Sequence, residues 1–190
     1  MKQALIVIDM QQGPFGETPP WHDAAGLLGR LNRLADAVRT TGGAVIFIQH
    51  DGPPGDPYHP GSAGWRFLSD LDVRPVDAVI HKQSCDAFLH TSLEAFLHAE
   101  AIDQLIVTGW ATDYCVDTTI RSALARGWPT IVPSDGHSAA DRPHLAAAKI
   151  IEHHNAIWAD FLAPRGPAEV CPTATVIHQI AALRVRHQRA

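Results

Sequence analysis

Cysteine is scarce in this sequence: Cys85, Cys115 and Cys171 stand far apart in 190 residues. No two of them form a CxxC pair, which excludes a zinc-finger spacing and a disulfide framework and leaves free, reduced thiols as the expectation. An excess of positive charge is also missing. Lys and Arg total 15 against 20 Asp and Glu, a formal charge of −5, and the basic residues are scattered until a short run at Arg184, Arg186 and Arg189. Nucleic acid is therefore not an expected partner. Long apolar runs are absent as well: Asp9 interrupts the stretch Ala4-Leu5-Ile6-Val7-Ile8 too early for a signal-peptide core, and no other run is long enough to span a bilayer. A cytoplasmic protein that does not engage a membrane is the reading. There is no internal repeat and no low-complexity tract.

What remains is a chain of ordinary globular composition, 46% hydrophobic, whose length fits a single domain over residues 1–190. Short β-branched runs bounded by turn residues occur at Ala4 to Ile8, Ala44 to Gln49, Asp77 to His81, Gln104 to Thr108, Thr130 to Pro133 and, more weakly, Glu169 to Cys171. Each reads as a buried strand. Between them the apolar residues take helical spacing: Leu27, Leu31, Leu34 and Val38; Leu89, Leu93, Phe96 and Leu97; Val116, Ile120, Ala123 and Leu124; Leu145, Ala148, Ile151 and Ile157; and Val176, Ile177, Ile180 and Leu183. Alternating strands and helices predict right-handed crossovers and a three-layer α/β/α, Rossmann-like fold with a mostly parallel sheet. The Gly- and Pro-rich stretch from His50 to Gly64 predicts a long surface loop near the site, Pro164 to Pro167 a second loop, and Thr173 an N-cap for the last helix.

In doubly wound sheets ligands bind beyond the carboxyl ends of the strands, so the polar residues there are the candidates. Asp9 closes the first strand, Lys82 follows the third, Gly109 to Cys115 (GWATDYC) follows the fourth, and Asp135 with His137 follows the fifth. Cys115 falls in the expected first turn of a helix, capped by Thr112 or Asp113, where unpaired N–H groups lower a thiol pKa. A thiolate nucleophile needs a base for its proton and a group to hold that base in its working charge state, roles open to Asp9 and Lys82. Blander readings exist for each: a small core cysteine, an aspartate capping a turn, a solvated lysine.

Three segments taken in order go further. Ala4 to Gln11 (ALIVIDMQ) with Phe15 after it, Lys82 to Phe88 (KQSCDAF) and Gly109 to Val116 (GWATDYCV) resemble the motifs of the isochorismatase-like cysteine hydrolase superfamily, which includes nicotinamidases, carbamoylsarcosine amidohydrolases and related amidases. The resemblance runs from about Ala4 to at least Trp158. It implies a six-stranded parallel sheet with Asp9, Lys82 and Cys115 as the catalytic trio at its C-terminal edge. It implies too a cis peptide between Trp110 and Ala111, so that the N–H groups of Ala111 and Cys115 form an oxyanion hole. The reaction implied is hydrolysis of a C–N bond in a small amide-like substrate through a Cys115 thioester.

Nicotinamidases of that superfamily hold a metal through an Asp-x-His pair and further histidines after the second strand. This chain reads Gln49-His50-Asp51-Gly52 there. His50, Asp51 and His59 remain conceivable ligands, but loop histidines are more often surface residues, and no metal or other cofactor is expected. Phe15, Trp65, Trp110 and Tyr114 are the expected pocket walls, and His137 the histidine positioned to face the pocket. Vinyl-ether hydrolysis of the isochorismatase type is the alternative within the superfamily; its enzymes generally lack the nucleophilic cysteine. Outside it stand a thiol redox protein pairing Cys115 with Cys85 and a catalytically idle member acting only through assembly. Relatives commonly form dimers or tetramers, and the apolar helix from Leu145 to Trp158 is the expected self-association face.

Overall fold

A computed structural model describes residues 1–187; Arg189 of the C-terminal basic run lies outside the described residues. The chain runs β1 (Gln3–Ile8), α1 (Ala24–Thr40), β2 (Ala44–His50), β3 (Ala78–Lys82), α2 (Leu93–Ala99), β4 (Gln104–Trp110), a π turn (Thr112–Val116), α3 (Asp117–Ala125), β5 (Thr130–Pro133), β6 (His137–Ser138), α4 (Ala147–Ala159), β7 (Glu169–Cys171) and α5 (Thr173–His187). Every strand pair is parallel, in the order β3-β2-β1-β4-β5-β7, with the two-residue β6 beside the end of β4. The expected α/β sheet is present, with β6 as an addition: two residues carry no periodicity that a sequence reading detects.

The sheet is covered on both faces, and β1 explains how. All six of its residues are buried. Ala4, Ile6 and Ile8 face a layer containing Leu93 and Leu97 of α2, Ile120 and Leu124 of α3 and Trp158 of α4. Leu5 and Val7 face the other way, against Leu27, Leu31, Leu34 and Val38 of α1 and Val176 and Ile180 of α5. A strand whose side chains alternate between two apolar layers reads as an unbroken hydrophobic run. Burying a Leu or Ile side chain contributes about 2 kcal/mol, so β1 anchors the centre of the sheet.

The order reverses at β1: β2 and β3 lie to one side, β4 and β5 to the other. That switch opens a crevice above the carboxyl ends of β1 and β4. Gly109, paired with Ile8, has φ +119°, and a Cβ there would run into the Ile8 backbone. A glycine is required for the two strands to close at this point. Among the described residues no helix is long and apolar enough to cross a membrane.

Candidate active site

Asp9 leaves β1 with φ +50°, a left-handed conformation that aspartate tolerates better than most residues. Its N–H donates to the Ile48 carbonyl at 3.0 Å, which fixes the turn on β2. Two residues on, buried Gln11 accepts the His50 N–H at 2.8 Å and donates to the His50 and Trp65 carbonyls at 3.1 and 2.8 Å. The long loop after β2 is thereby stitched to the strand ends. Lys82 is the last residue of β3, where alternation turns it inward between exposed His81 and Gln83. The segment following it docks on α3: Asp86 accepts the Ser122 hydroxyl at 2.9 Å and Thr119 Oγ1 accepts the Ala87 N–H at 3.2 Å.

Asp9, Lys82 and Cys115 meet at the floor of the crevice. Lys82 Nζ donates to Asp9 Oδ2 at 2.7 Å, to the Ser84 carbonyl at 2.9 Å and to Cys115 Sγ at 3.3 Å, using its three protons. Its side chain is wholly buried and that of Asp9 nearly so. Burial works against the Lys82 charge, but Asp9 and then Cys115, acting electrostatically and as hydrogen-bond partners, outweigh it and raise the pKa above its ordinary value. Asp9 Oδ1 is buried and accepts no hydrogen bond of standard geometry.

Cys115 differs from the sequence expectation. It sits in the π turn rather than in the first turn of an α-helix, and neither Thr112 nor Asp113 caps it. Thr112 Oγ1 lies 2.8 Å from His137 Nδ1, and Asp113 is taken by Arg142. Instead of a lowered thiol pKa, burial and then the Asp9 carboxylate, by its charge and as a hydrogen-bond partner, push it up; Lys82 opposes them and does not prevail. The shift favours the thiol form of Cys115 beside the Asp9 carboxylate. The Trp110–Ala111 peptide bond is cis. Ala111 O accepts the N–H groups of Tyr114 at 3.0 Å and Val116 at 3.1 Å, which closes the π turn around Cys115.

A cavity of about 550 Å³ opens over this floor, lined among others by Asp9, Phe15, Tyr58, Trp110, Tyr114 and Cys115. Three of the four expected wall residues belong to it. Trp110 also stacks on Trp21 with ring centroids 4.4 Å apart, which fixes its plane. Trp65 is turned elsewhere: it lies over His81 at 5.8 Å and donates to Asp51 Oδ1 at 2.7 Å. His137 also stays out of the cavity. It is buried beneath the π turn, its Nε2 3.0 Å from Asn155 Oδ1, and burial lowers its pKa to about 4. Asn155 Nδ2 donates to the Ser134 carbonyl at 2.9 Å, so Asn155 Oδ1 accepts from His137 Nε2–H, and His137 Nδ1 accepts the Thr112 hydroxyl.

Tyr58, Asp56 and Arg142 line the cavity without having been singled out in the sequence. The loop after β2 was expected near the site, but its internal bonds decide which side chain turns inward. The Gly52 N–H donates to the Tyr58 carbonyl at 3.0 Å and the Asp56 N–H to the Pro53 carbonyl at 3.0 Å. Gly13, at φ +53°, leaves the space that the Tyr58 ring occupies. Arg142 is bound by both Asp113 oxygens at 2.8 and 3.0 Å and lies 4.9 Å from the Tyr114 ring centroid. Nothing in its sequence neighbourhood signals this.

The three conceivable metal ligands do not converge. Asp51 is engaged by Trp65 and His81, His59 Nδ1 lies 3.4 Å from the Gly52 carbonyl, and His50 faces Lys82 Nζ at 3.4 Å with its pKa lowered by burial and then by the Lys82 charge. Among the described residues no cluster of three or more His, Cys, Asp or Glu is placed to hold a metal ion. The three cysteines are free thiols, and Cys85 borders the same cavity as Cys115. A larger groove of about 640 Å³ lies at the opposite edge of the sheet, by the amino ends of β2 and β3; it is lined by Lys2, Arg39 and Arg74, which are paired with acids, and holds no nucleophile.

A streptothricin hydrolase of Streptomyces noursei is 34% identical over 141 residues, covering 74% of this chain and 51% of its own. A ureidoacrylate amidohydrolase of Variovorax paradoxus (strain S110) is 29% identical over 158 residues, covering 64% of this chain and 62% of its own. The chain thus spans only half to two thirds of the length of these relatives. The crystal structure of a cysteine hydrolase from Pseudomonas syringae pv. phaseolicola 1448A superposes with a TM-score of 0.84 at 26% identity, covering 95% of this chain and 93% of that one. The isochorismatase domain model matches residues 3–160. With its parallel sheet and its three motifs gathered at one edge, the chain belongs to the isochorismatase family.

Proposed function

We propose that this protein is a cysteine hydrolase that cleaves a C–N bond of a small amide-like substrate, with Cys115 as nucleophile, Asp9 as base and acid, and Lys82 as their electrostatic support. One observation carries the reading: the half-buried Cys115 sulfur lies 3.3 Å from the buried Lys82 Nζ, whose other side-chain partner is the buried Asp9 carboxylate at 2.7 Å. As Cys115 Sγ attacks the substrate carbonyl carbon, Asp9 takes the thiol proton, and Lys82 offsets the charge on sulfur and carboxylate. The N–H groups of Ala111 and Cys115 receive the developing oxyanion. Collapse breaks the C–N bond, Asp9 returns the proton to the leaving nitrogen, and a water molecule deprotonated by Asp9 then hydrolyses the thioester. The carboxyl product leaves and the thiol is restored. No step uses a metal or cofactor.

A C–N bond is preferred over a vinyl ether because a nucleophilic cysteine suits acyl transfer, and an amidohydrolase and a cysteine hydrolase are among the similar proteins. The test is mass spectrometry of the protein with a panel of primary amides, ureido acids and lactams. A primary amide or ureido acid yields a Cys115 adduct equal to its acyl part and releases ammonia or an amine, a lactam opens on Cys115 and adds its full mass, and Cys115→Ala abolishes every adduct. Full turnover by Cys115→Ala overturns the reading. We also propose self-association through α4 and the segments flanking it, where Leu145 before the helix, Ile157 within it and Leu162 after it are exposed; Trp158 is buried within its own chain and unavailable to a partner.

A further inference from the structure

The hydrolytic steps use the floor of the cavity and leave its walls unexplained. Four aromatic side chains stand there: Phe15, Tyr58, Trp110 and Tyr114. Phe15 is 40% exposed and Tyr114 55% exposed, so neither serves the core. Aromatic faces carry negative potential and attract cations, most strongly where water is excluded.

The charges along the walls do not balance. Lys82 is matched by Asp9. Arg142 is matched by Asp113, whose two oxygens bind two of its nitrogens in a fork, and it is held over Tyr114. Burial and then the Lys82 charge lower the His50 pKa, which disfavours its cationic form. Asp56 alone has no counter-charge: Oδ1 accepts the Tyr58 N–H at 2.7 Å, and among the described residues its carboxylate enters no ion pair. Burial, then the charges of Asp9 and Asp56, raise the Tyr58 pKa to about 12.

We infer that the cavity selects substrates bearing a positively charged group, an alkylammonium or a guanidinium, which is seated among Phe15, Tyr58, Trp110 and Tyr114 with Asp56 as its counter-ion. The inference rests on the reading that Cys115 attacks the substrate carbonyl, because that step sets which end of the substrate lies at the floor. A carboxylate-bearing substrate would meet aromatic faces and Asp56, and Arg142 at the wall and Lys82 at the floor are already paired with Asp113 and Asp9. Placing the charge at the wall also leaves Asp9 free of it.

Two measurements separate this inference from the hydrolase reading. The first is calorimetric titration of the intact protein with pentylammonium, hexane and hexanoate, monitored in parallel by tryptophan fluorescence for contact with Trp110. Pentylammonium is expected to bind at least about tenfold more tightly than the other two, and its affinity to fall as salt rises. The second is turnover of hexanamide against its counterparts with ammonium or carboxylate in place of the terminal methyl. The ammonium form is expected to have the highest kcat/KM, by about tenfold and mainly through KM.

In Asp56→Asn the remaining carbonyl oxygen still accepts the Tyr58 N–H, so the turn is kept, and the cationic-to-neutral ratio should fall toward one. Phe15→Leu, at an exposed position, should lower the same ratio severalfold and supplies the test if Asp56→Asn misfolds. Equal or tighter binding of the neutral or anionic compound overturns the cation site. Selective ammonium binding without any Cys115 adduct or turnover leaves the cation site standing and removes the hydrolase reading.

Discussion

At the scale of single residues, the Asp9–Lys82 pair governs the site. Two opposite charges out of water stabilise the fold little, but one left alone is costly, about 3–5 kcal/mol. Lys82→Met should therefore lower unfolding free energy in a denaturant titration by that amount. Asp9→Leu combined with Lys82→Met should recover most of the loss, although neither protein would turn over substrate; additive losses would mean that the pair is not coupled. Asp9→Asn keeps the tolerance of a left-handed backbone but takes no proton, and single-turnover acylation of Cys115 should slow by about 10²–10⁴-fold. The same residues show what the sequence disclosed. The motif positions Asp9, Lys82 and Cys115 were identified from it, and their meeting is an observation of the fold. The direction of the Cys115 shift was not foreseen, because a helix-start argument counts local dipoles and omits burial and a carboxylate from a strand more than a hundred residues earlier. Trp65 was misplaced for a similar reason. Its neighbours in sequence suggest a cavity wall, but its indole N–H is satisfied by Asp51 and its ring lies over His81.

At the scale of elements, the π turn is held from below by the chain of hydrogen bonds from Ser134 through Asn155 and His137 to Thr112. Its weakness is acid. Folded His137 takes a proton near pH 4, whereas in the unfolded chain it does so near pH 6.5, so between those values the unfolded state binds more protons. Stability is then complete above about pH 6.5 and falls as the pH drops toward 4, by about 3 kcal/mol from this group. Acid unfolding followed by circular dichroism should show this slope, and His137→Gln should abolish it. A slope unchanged in the variant would place the acid sensitivity elsewhere. At the sheet centre, Gly109→Ala forces a side chain into the Ile8 backbone at φ +119°. A loss of about 3 kcal/mol in thermal or urea unfolding is expected. The long strands were legible because their apolar runs are continuous. The two-residue β6 and the inward turn of Tyr58 were not, since both depend on bonds to distant segments. Thr173, read as a helix cap, instead donates its hydroxyl to Asp135 Oδ1 at 2.7 Å and begins α5 as its first residue.

At the scale of the whole molecule, the proposed self-association would cover the exposed Ile157 of α4 and Leu162 of the loop after it. Light scattering should give a mass of two or four times the 20.6 kDa chain. Leu162→Glu together with Ile157→Glu should lower it; a monomeric mass in the parent protein removes the proposal. A last consequence follows from the three strands that meet at the site. Lys82 reaches Asp9 across 73 residues of sequence and Cys115 across 33, and both links exist only when β3, β2, β1 and β4 stand in register. Contacts of such long range form late, after loop closure has been completed for every intervening segment. The thiol is thus a clock of assembly. In refolding from denaturant, helical signal should return before Cys115 becomes shielded from alkylation, and the interval between the two should measure the closing of the sheet.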